Sequence, residues 1–123
     1  MGKKIRVILA DDHAVMRQGL VKLVSSQPDI QVVGEASTGR EALELARQID
    51  PDLILMDISM PDMDGIEATR IVQREMPHVH VIGLSMHENE EVIKAMGQFG
   101  AIVYVSKTAP PAELLKAIYR VVN

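Results

Sequence analysis

The sequence predicts an α/β domain of the (βα)5 kind, doubly wound, with five parallel strands in a single sheet. Short apolar runs alternate with helical patterns along all 123 residues. The runs are continuously apolar, as strands covered on both faces are, where one-sided strands alternate. Four of them also end on polar groups: Asp11 and Asp12 after 5–10, Asp57 after 53–56, Ser85 after 79–84, and Lys107 after 102–106.

In chain order, strands are expected near 5–10, 31–36, 52–57, 79–85 and 102–106. Between them, segment 14–26 carries Met16, Leu20, Leu23 and Val24 at helical spacing. Segment 39–49 carries Leu43, Ala46 and Ile49, and Thr38-Gly39-Arg40-Glu41 forms a capping-box pattern at its start. Segment 64–76 carries Ile66, Ile71 and Val72, with Asp64 and Glu67 as a similar start signal. Segment 88–99 carries Val92, Ile93, Met96 and Phe99, and Glu88, Glu90 and Glu91 complement the positive end of that helix. Segment 110–122 opens on Pro110-Pro111, tolerated at a helix start, and carries Leu114, Leu115, Ile118 and Val122. Short loops between alternating elements imply helices on both faces of a parallel sheet, placed by right-handed crossovers. No linker, internal repeat or low-complexity segment interrupts the pattern.

A chain of 123 residues that is 47% hydrophobic makes one domain with a sizeable core. That core is aliphatic, because there is no Trp, one Phe and two Tyr, and eight Met add adaptable packing. Thirteen basic against seventeen acidic residues leave a net charge of −4, which gives no general attraction to nucleic acid. Zero Cys excludes a disulfide scaffold or a thiolate metal site and suits a reducing compartment. No apolar stretch reaches the ~18 residues that span a membrane. Met1-Gly2-Lys3-Lys4 is positive, but 5–10 is too short for a signal-peptide core and Asp11-Asp12 ends it. A soluble cytoplasmic protein is expected.

Open parallel sheets bind ligands outside the carboxyl ends of their strands, and the polar groups fall there. Three carboxylates, a hydroxyl and an ammonium at one edge suit a divalent metal and a phosphoryl group. Mg²⁺ takes oxygen ligands, commonly one or two carboxylates with a phosphate. Each residue also has a plainer role. Asp11 and Asp12 could cap the following helix. Asp57 could be a turn residue ahead of Pro61. Ser85-Met86-His87-Glu88 is itself a capping-box pattern. Lys107 could be a solvated charge. His80 reads as a packed or edge histidine. His13 and His87 flank the site without a His-Glu spacing for zinc. No Walker loop, G-x-G-x-x-G or G-x-S-x-G is present.

Taken together, Asp11-Asp12, Asp57 followed by Met60-Pro61 and Asp64-Gly65, Ser85, and Tyr104-Val105-Ser106-Lys107 resemble the receiver domain of bacterial two-component response regulators. The resemblance covers residues 1–123. Leu9-Ala10-Asp11-Asp12-His13 and Val33-Gly34-Glu35-Ala36 are most similar to the subfamily with a C-terminal helix-turn-helix output domain. It implies a flavodoxin-like strand order, 2-1-3-4-5. It implies that Asp57 accepts a phosphoryl group from a histidine kinase. Mg²⁺ would be bound by Asp12 and Asp57, assisted by Asp11, and by the backbone carbonyl of Ser59. Lys107 and Ser85 would contact the phosphoryl oxygens, and Tyr104 would be the aromatic switch. Ser59 and His87 would flank the acyl phosphate and set its lifetime. The family's output face is its fourth helix, fifth strand and fifth helix, and subfamily homodimers use the first and fifth helices. Exposed Arg17, Gln18 and Lys22 are expected to choose the partner.

Two positions depart from the family pattern. Val103 stands where the subfamily usually has Gly. Thr108 stands where many receivers have a cis Pro, so a cis Lys107-Thr108 peptide would cost about 2.5–4 kcal/mol. The output domain lies outside the 123 residues, so DNA contact is expected only through that further domain, and no membrane contact is expected. The only catalysis expected is of the chain's own phosphorylation and dephosphorylation. An aspartyl-phosphate phosphohydrolase would need an Asp-x-Asp pattern after the first strand, and usually a cap domain. A flavin mononucleotide carrier would need a hydroxyl-rich phosphate loop and flanking aromatics. A pseudo-receiver, acting by protein contact without phosphorylation, is the remaining alternative. The intact acid pair, Asp57 and Lys107 argue against it.

Overall fold

The computed structural model describes residues 4–58, 65–85, 103–107 and 109–122, with the side chain of Tyr104 excepted. Among these, β1 (Ile5–Ala10), α1 (Ala14–Ser25), β2 (Ile30–Ala36), α2 (Gly39–Ile49) and β3 (Leu53–Asp57) come first. Then follow α3 (Gly65–Glu75), β4 (His80–Ser85), β5 (Val103–Ser106) and α4 (Pro111–Val122). The strands form one sheet in the order β2-β1-β3-β4-β5, all parallel, as expected. Element ends fall within a residue or so of the sequence expectation. The helix expected over 88–99 lies outside the described residues.

The continuous apolar runs have a direct structural cause. Successive strand residues point to opposite faces, and here both faces are covered. Ile8, Ala10, Ile54, Met56 and Val81 pack on one face against Ala42 and Ala46 of α2 and Ala68 and Val72 of α3. Val7, Leu9, Leu53, Leu55, Ile82 and Leu84 pack on the other against Leu20 and Val24 of α1 and Leu114, Ala117 and Ile118 of α4. All five residues of β3 are buried. Each fully buried aliphatic side chain contributes about 1.5–3 kcal/mol relative to exposure, so this two-sided core anchors the sheet.

Local signals set the helix ends. Thr38 Oγ1 accepts a hydrogen bond from Glu41 N at 3.0 Å. The reciprocal half of the capping box lands one residue early: Glu41 Oε1 accepts from Ser37 N at 3.3 Å. α2 ends at Asp50, which is left-handed with φ 54°. There Arg6 donates to the terminal carbonyls of Asp50 at 3.0 Å and Ile49 at 3.2 Å. Its backbone amide donates to Asp52 Oδ2 at 2.9 Å, so this one residue ties the start of β1 to the end of α2 and the turn before β3.

Candidate functional site

Because the strands are parallel, their carboxyl ends share one edge, and the backbone ladder runs on past them. Asp11 N donates to Ala36 O at 3.0 Å, Ile58 N to Leu84 O at 3.1 Å, and Lys107 N to Ser85 O at 2.6 Å. Asp11, Asp57, Ser85 and Lys107 are therefore held by sheet geometry. Lys107 Nζ lies 2.7 Å from Asp11 Oδ2 and donates to Asp57 Oδ2 at 2.9 Å, with 1% of its side chain exposed. That corrects the solvated-charge reading of Lys107. Asp11 is fully buried and Asp57 nearly so, while the turn toward Pro61 considered for Asp57 lies outside the described residues.

Three carboxylates against one ammonium leave this pocket with a local excess of two negative charges. Removing charges from water is costly unless they are paired and hydrogen-bonded. The pairing here is incomplete: Asp11 Oδ2, though ion-paired to Lys107, and Asp12 Oδ1 are buried oxygens without a hydrogen bond. Donor atoms of Asp11, Asp12, His13 and Asp57 lie within 4.8 Å of one another. Converging, under-satisfied carboxylate oxygens fit a hard divalent cation such as Mg²⁺.

The capping role considered for Asp11 and Asp12 is not what they do. The residue capping α1 is His13, and it makes no side-chain capping bond. Asp11 Oδ1 instead accepts from His13 N at 2.9 Å, which fixes the turn that aims its carboxylate at the site. Arg17 also departs from expectation. It donates to Asp11 O at 2.6 Å and to Glu35 Oε1 at 3.2 Å, with 20% of its side chain exposed, so it braces the acid turn. Gln18 and Lys22 are exposed as expected.

Gly65 is the other residue whose role emerges only in three dimensions. A Cβ there would run into the backbone carbonyl of Asp57. Only glycine lets the first turn of α3 pass this close behind the β3 end, and Thr69 Oγ1 donates to the Gly65 carbonyl at 2.6 Å from within the core. Ser85 closes β4, opposite Ser106 of β5, and is buried. Tyr104 pairs with Gly83, placing it on the strand beside Ser85. Its side chain, Ser59, Asp64, His87, Glu88 and the Lys107-Thr108 peptide lie outside the described residues. So do the Ser85–Glu88 capping pattern and the Ser59 carbonyl expected as a ligand. His80 is exposed at the start of β4, an interior strand, so it is neither packed nor on an edge strand.

No helix among the described residues is long and apolar enough to cross a membrane. The family described as the response regulator receiver domain matches residues 7–119. The transcriptional regulatory protein LiaR of Bacillus subtilis is 44% identical over 114 residues, covering 93% of this chain and 54% of LiaR. The chain thus spans about half the length of the curated relatives it matches. Among solved structures, the signal receiver domain of NarL from Mycobacterium tuberculosis superposes with a TM-score of 0.94 at 33% identity, covering 98% of each chain. A two-component response regulator of the LuxR family from Aurantimonas sp. SI85-9A1 gives 0.92 at 34% identity, covering 98% of this chain and 86% of the other. A match that reaches all five strands and both acid-bearing strand ends makes this chain a member of the response regulator receiver domains of two-component signalling.

Proposed function

We propose that the chain is a phosphorylation-operated switch with Asp57 as the acceptor. The observation that carries this is Lys107, buried and shared between Asp11 and Asp57. A buried ammonium held by two carboxylates, beside oxygens that lack hydrogen bonds, suits a site that binds a phosphoryl group. An Asp57 oxygen forms the new P–O bond while the P–N bond of the kinase's phosphohistidine breaks, and the electron pair leaves on the imidazole. Mg²⁺, held by Asp11, Asp12 and Asp57 with the Ser59 carbonyl, would supply positive charge against the phosphoryl oxygens. Lys107 exchanges its bond to Asp57 for one to the phosphoryl group while Asp11 keeps its ammonium in place. Ser85 donates its hydroxyl to the same group.

These bonds exist only in the phosphorylated form, so they shift a two-state equilibrium by the difference they make between its states. The pull is transmitted along β4 and β5, which are joined at this end by the Lys107 N–Ser85 O bond. Tyr104, on β5, is the residue proposed to respond, and its pairing beside Ser85's strand supports that. The same proposal includes a cytoplasmic location, self-association after phosphorylation, and control of DNA binding through an output domain beyond these residues. LiaR's being a transcriptional regulatory protein supports the last point.

Intact-mass spectrometry after incubation with acetyl phosphate and Mg²⁺ tests the chemistry. A single added phosphoryl group, dependent on Mg²⁺ and absent from Asp57→Ala, is expected. No addition, even with a phosphorylated histidine kinase as donor, would leave a pseudo-receiver acting by contact alone.

A further inference from the structure

Resting on the cation site of the proposed switch, we infer that His13 is a nitrogen ligand of that site. With it, the chain binds borderline divalent transition-metal ions, of which Ni²⁺ is the probe, through a donor that Mg²⁺ does not use. His13 stands at the start of α1 in an extended backbone conformation, φ −93° and ψ 104°. Its amide is fixed by Asp11 Oδ1 at 2.9 Å, so the residue cannot drift from the acid pair. Its Nδ1 lies 3.2 Å from Asp12 Oδ1 and 3.4 Å from Asp11 Oδ1.

Those spacings have a meaning. Ligand nitrogen and oxygen atoms sit about 2.0–2.2 Å from a transition-metal ion, so neighbouring ligands of one ion are about 3.0–3.4 Å apart. His13 Nδ1 already stands at that spacing from an oxygen of each acid, and the donor atoms of Asp11, Asp12, His13 and Asp57 all lie within 4.8 Å of one another. Proximity alone does not satisfy Asp12, because Oδ1 remains without a hydrogen bond although Nδ1 is beside it. The donor set is therefore mixed: carboxylates, which suit Mg²⁺, and an imidazole, which suits Ni²⁺, Cu²⁺ or Zn²⁺. Two thirds of the His13 side chain is exposed, so it can swing onto an ion arriving from solvent without disturbing the core.

Isothermal titration of the metal-free chain with Ni²⁺ and, separately, Mg²⁺ tests this in wild type, His13→Ala, Asp12→Asn and Asp57→Asn. His13→Ala is expected to weaken Ni²⁺ by about tenfold or more, the scale of losing a supporting ligand contact, and to leave Mg²⁺ within about twofold. Asp12→Asn is expected to weaken both ions. Nitrogen hyperfine coupling in the spectrum of bound Cu²⁺, lost in His13→Ala and kept in His80→Ala at the far end of β4, would assign the imidazole directly. An unchanged Ni²⁺ affinity in His13→Ala, or equal changes for both ions, would overturn the inference and leave His13 as an ion-pair partner of the acids. That result spares the switch so long as Mg²⁺ binds and depends on Asp57. Loss of Mg²⁺ binding from wild type itself would overturn both.

Discussion

Lys107 and the acids around it make opposite contributions, and substitution can separate them. Lys107→Ala leaves Asp11 and Asp57 buried without their ammonium, and an uncompensated buried charge costs about 3–5 kcal/mol. Asp12→Asn takes one charge from a cluster already two negative in excess, so the metal-free protein is expected to be unchanged or slightly more stable. Urea unfolding in chelator, read as the shift in midpoint, checks both. A destabilised Asp12→Asn would show that Asp12 has a structural partner. At the opposite end of the sheet, Tyr119 donates to Asp29 Oδ1 at 2.6 Å, and that bond to a carboxylate pushes the phenol up from 10.0 to about 12. A raised tyrosine value means the folded state holds its proton more tightly. The resulting stability is complete below about pH 10 and fades as the pH rises through about 12. Tyrosinate absorbance is expected to show one of the chain's two tyrosines titrating late, and Asp29→Ala is expected to return it to the ordinary range.

At the scale of elements, the strands were readable because burial on both faces writes itself into continuous apolar runs. α2 was readable because Thr38 and Glu41 act within a single turn. The polar strand ends were readable as a cluster for the same reason: in a parallel sheet they must meet. Arg17 and Gly65 were not, since their roles depend on neighbours that only the fold supplies. Arg17 reads from the sequence as an exposed partner-choosing residue of the first helix, and only the packing of α1 against the acid turn and the end of β2 gives it its bracing bonds. Gly65 falls at the start of the helical segment 64–76, and nothing in that pattern shows that this is where α3 must pass the Asp57 carbonyl. Because the obstructing atom is backbone, the contact cannot be relieved by a rotamer change. Gly65→Ala is therefore expected to cost about 1–3 kcal/mol or more, and to displace the end of β3 enough to weaken phosphorylation of Asp57. The discriminating comparison is Gly19→Ala, where a Cβ meets nothing within 4 Å. Gly19 lies inside α1, so that variant is expected to gain up to about 1 kcal/mol of stability and to keep wild-type labelling, and equal behaviour of the two would remove the claim about the β3–α3 approach.

For the whole molecule, the acid edge ties folding to cation binding. The carboxylates converge only when β1 and β3 are paired, so a divalent ion held there as proposed would favour the native state over the unfolded chain. Mass action then stabilises the fold by about 2.7 kcal/mol when the free ion is a hundredfold above its dissociation constant. For a domain of 123 residues that corresponds to a rise of roughly 10 °C in melting temperature. The rise is expected in wild type with Mg²⁺, and to be mostly lost in Asp57→Asn and Asp12→Asn, which remove ligands. Lys107→Ala is expected to show a larger rise than wild type, because the ion then replaces the missing positive charge as well as satisfying the carboxylates. That ordering depends on sign and not on a fitted energy. Were Lys107 a positive scaffold on which the cation depends, its removal would shrink the Mg²⁺ response. If it is the cation's competitor for Asp11 and Asp57, its removal must enlarge it. Contacts of 2.7 Å and 2.9 Å to two prospective ligand carboxylates favour competition. A thermal-shift series in Mg²⁺ on these four proteins decides between them.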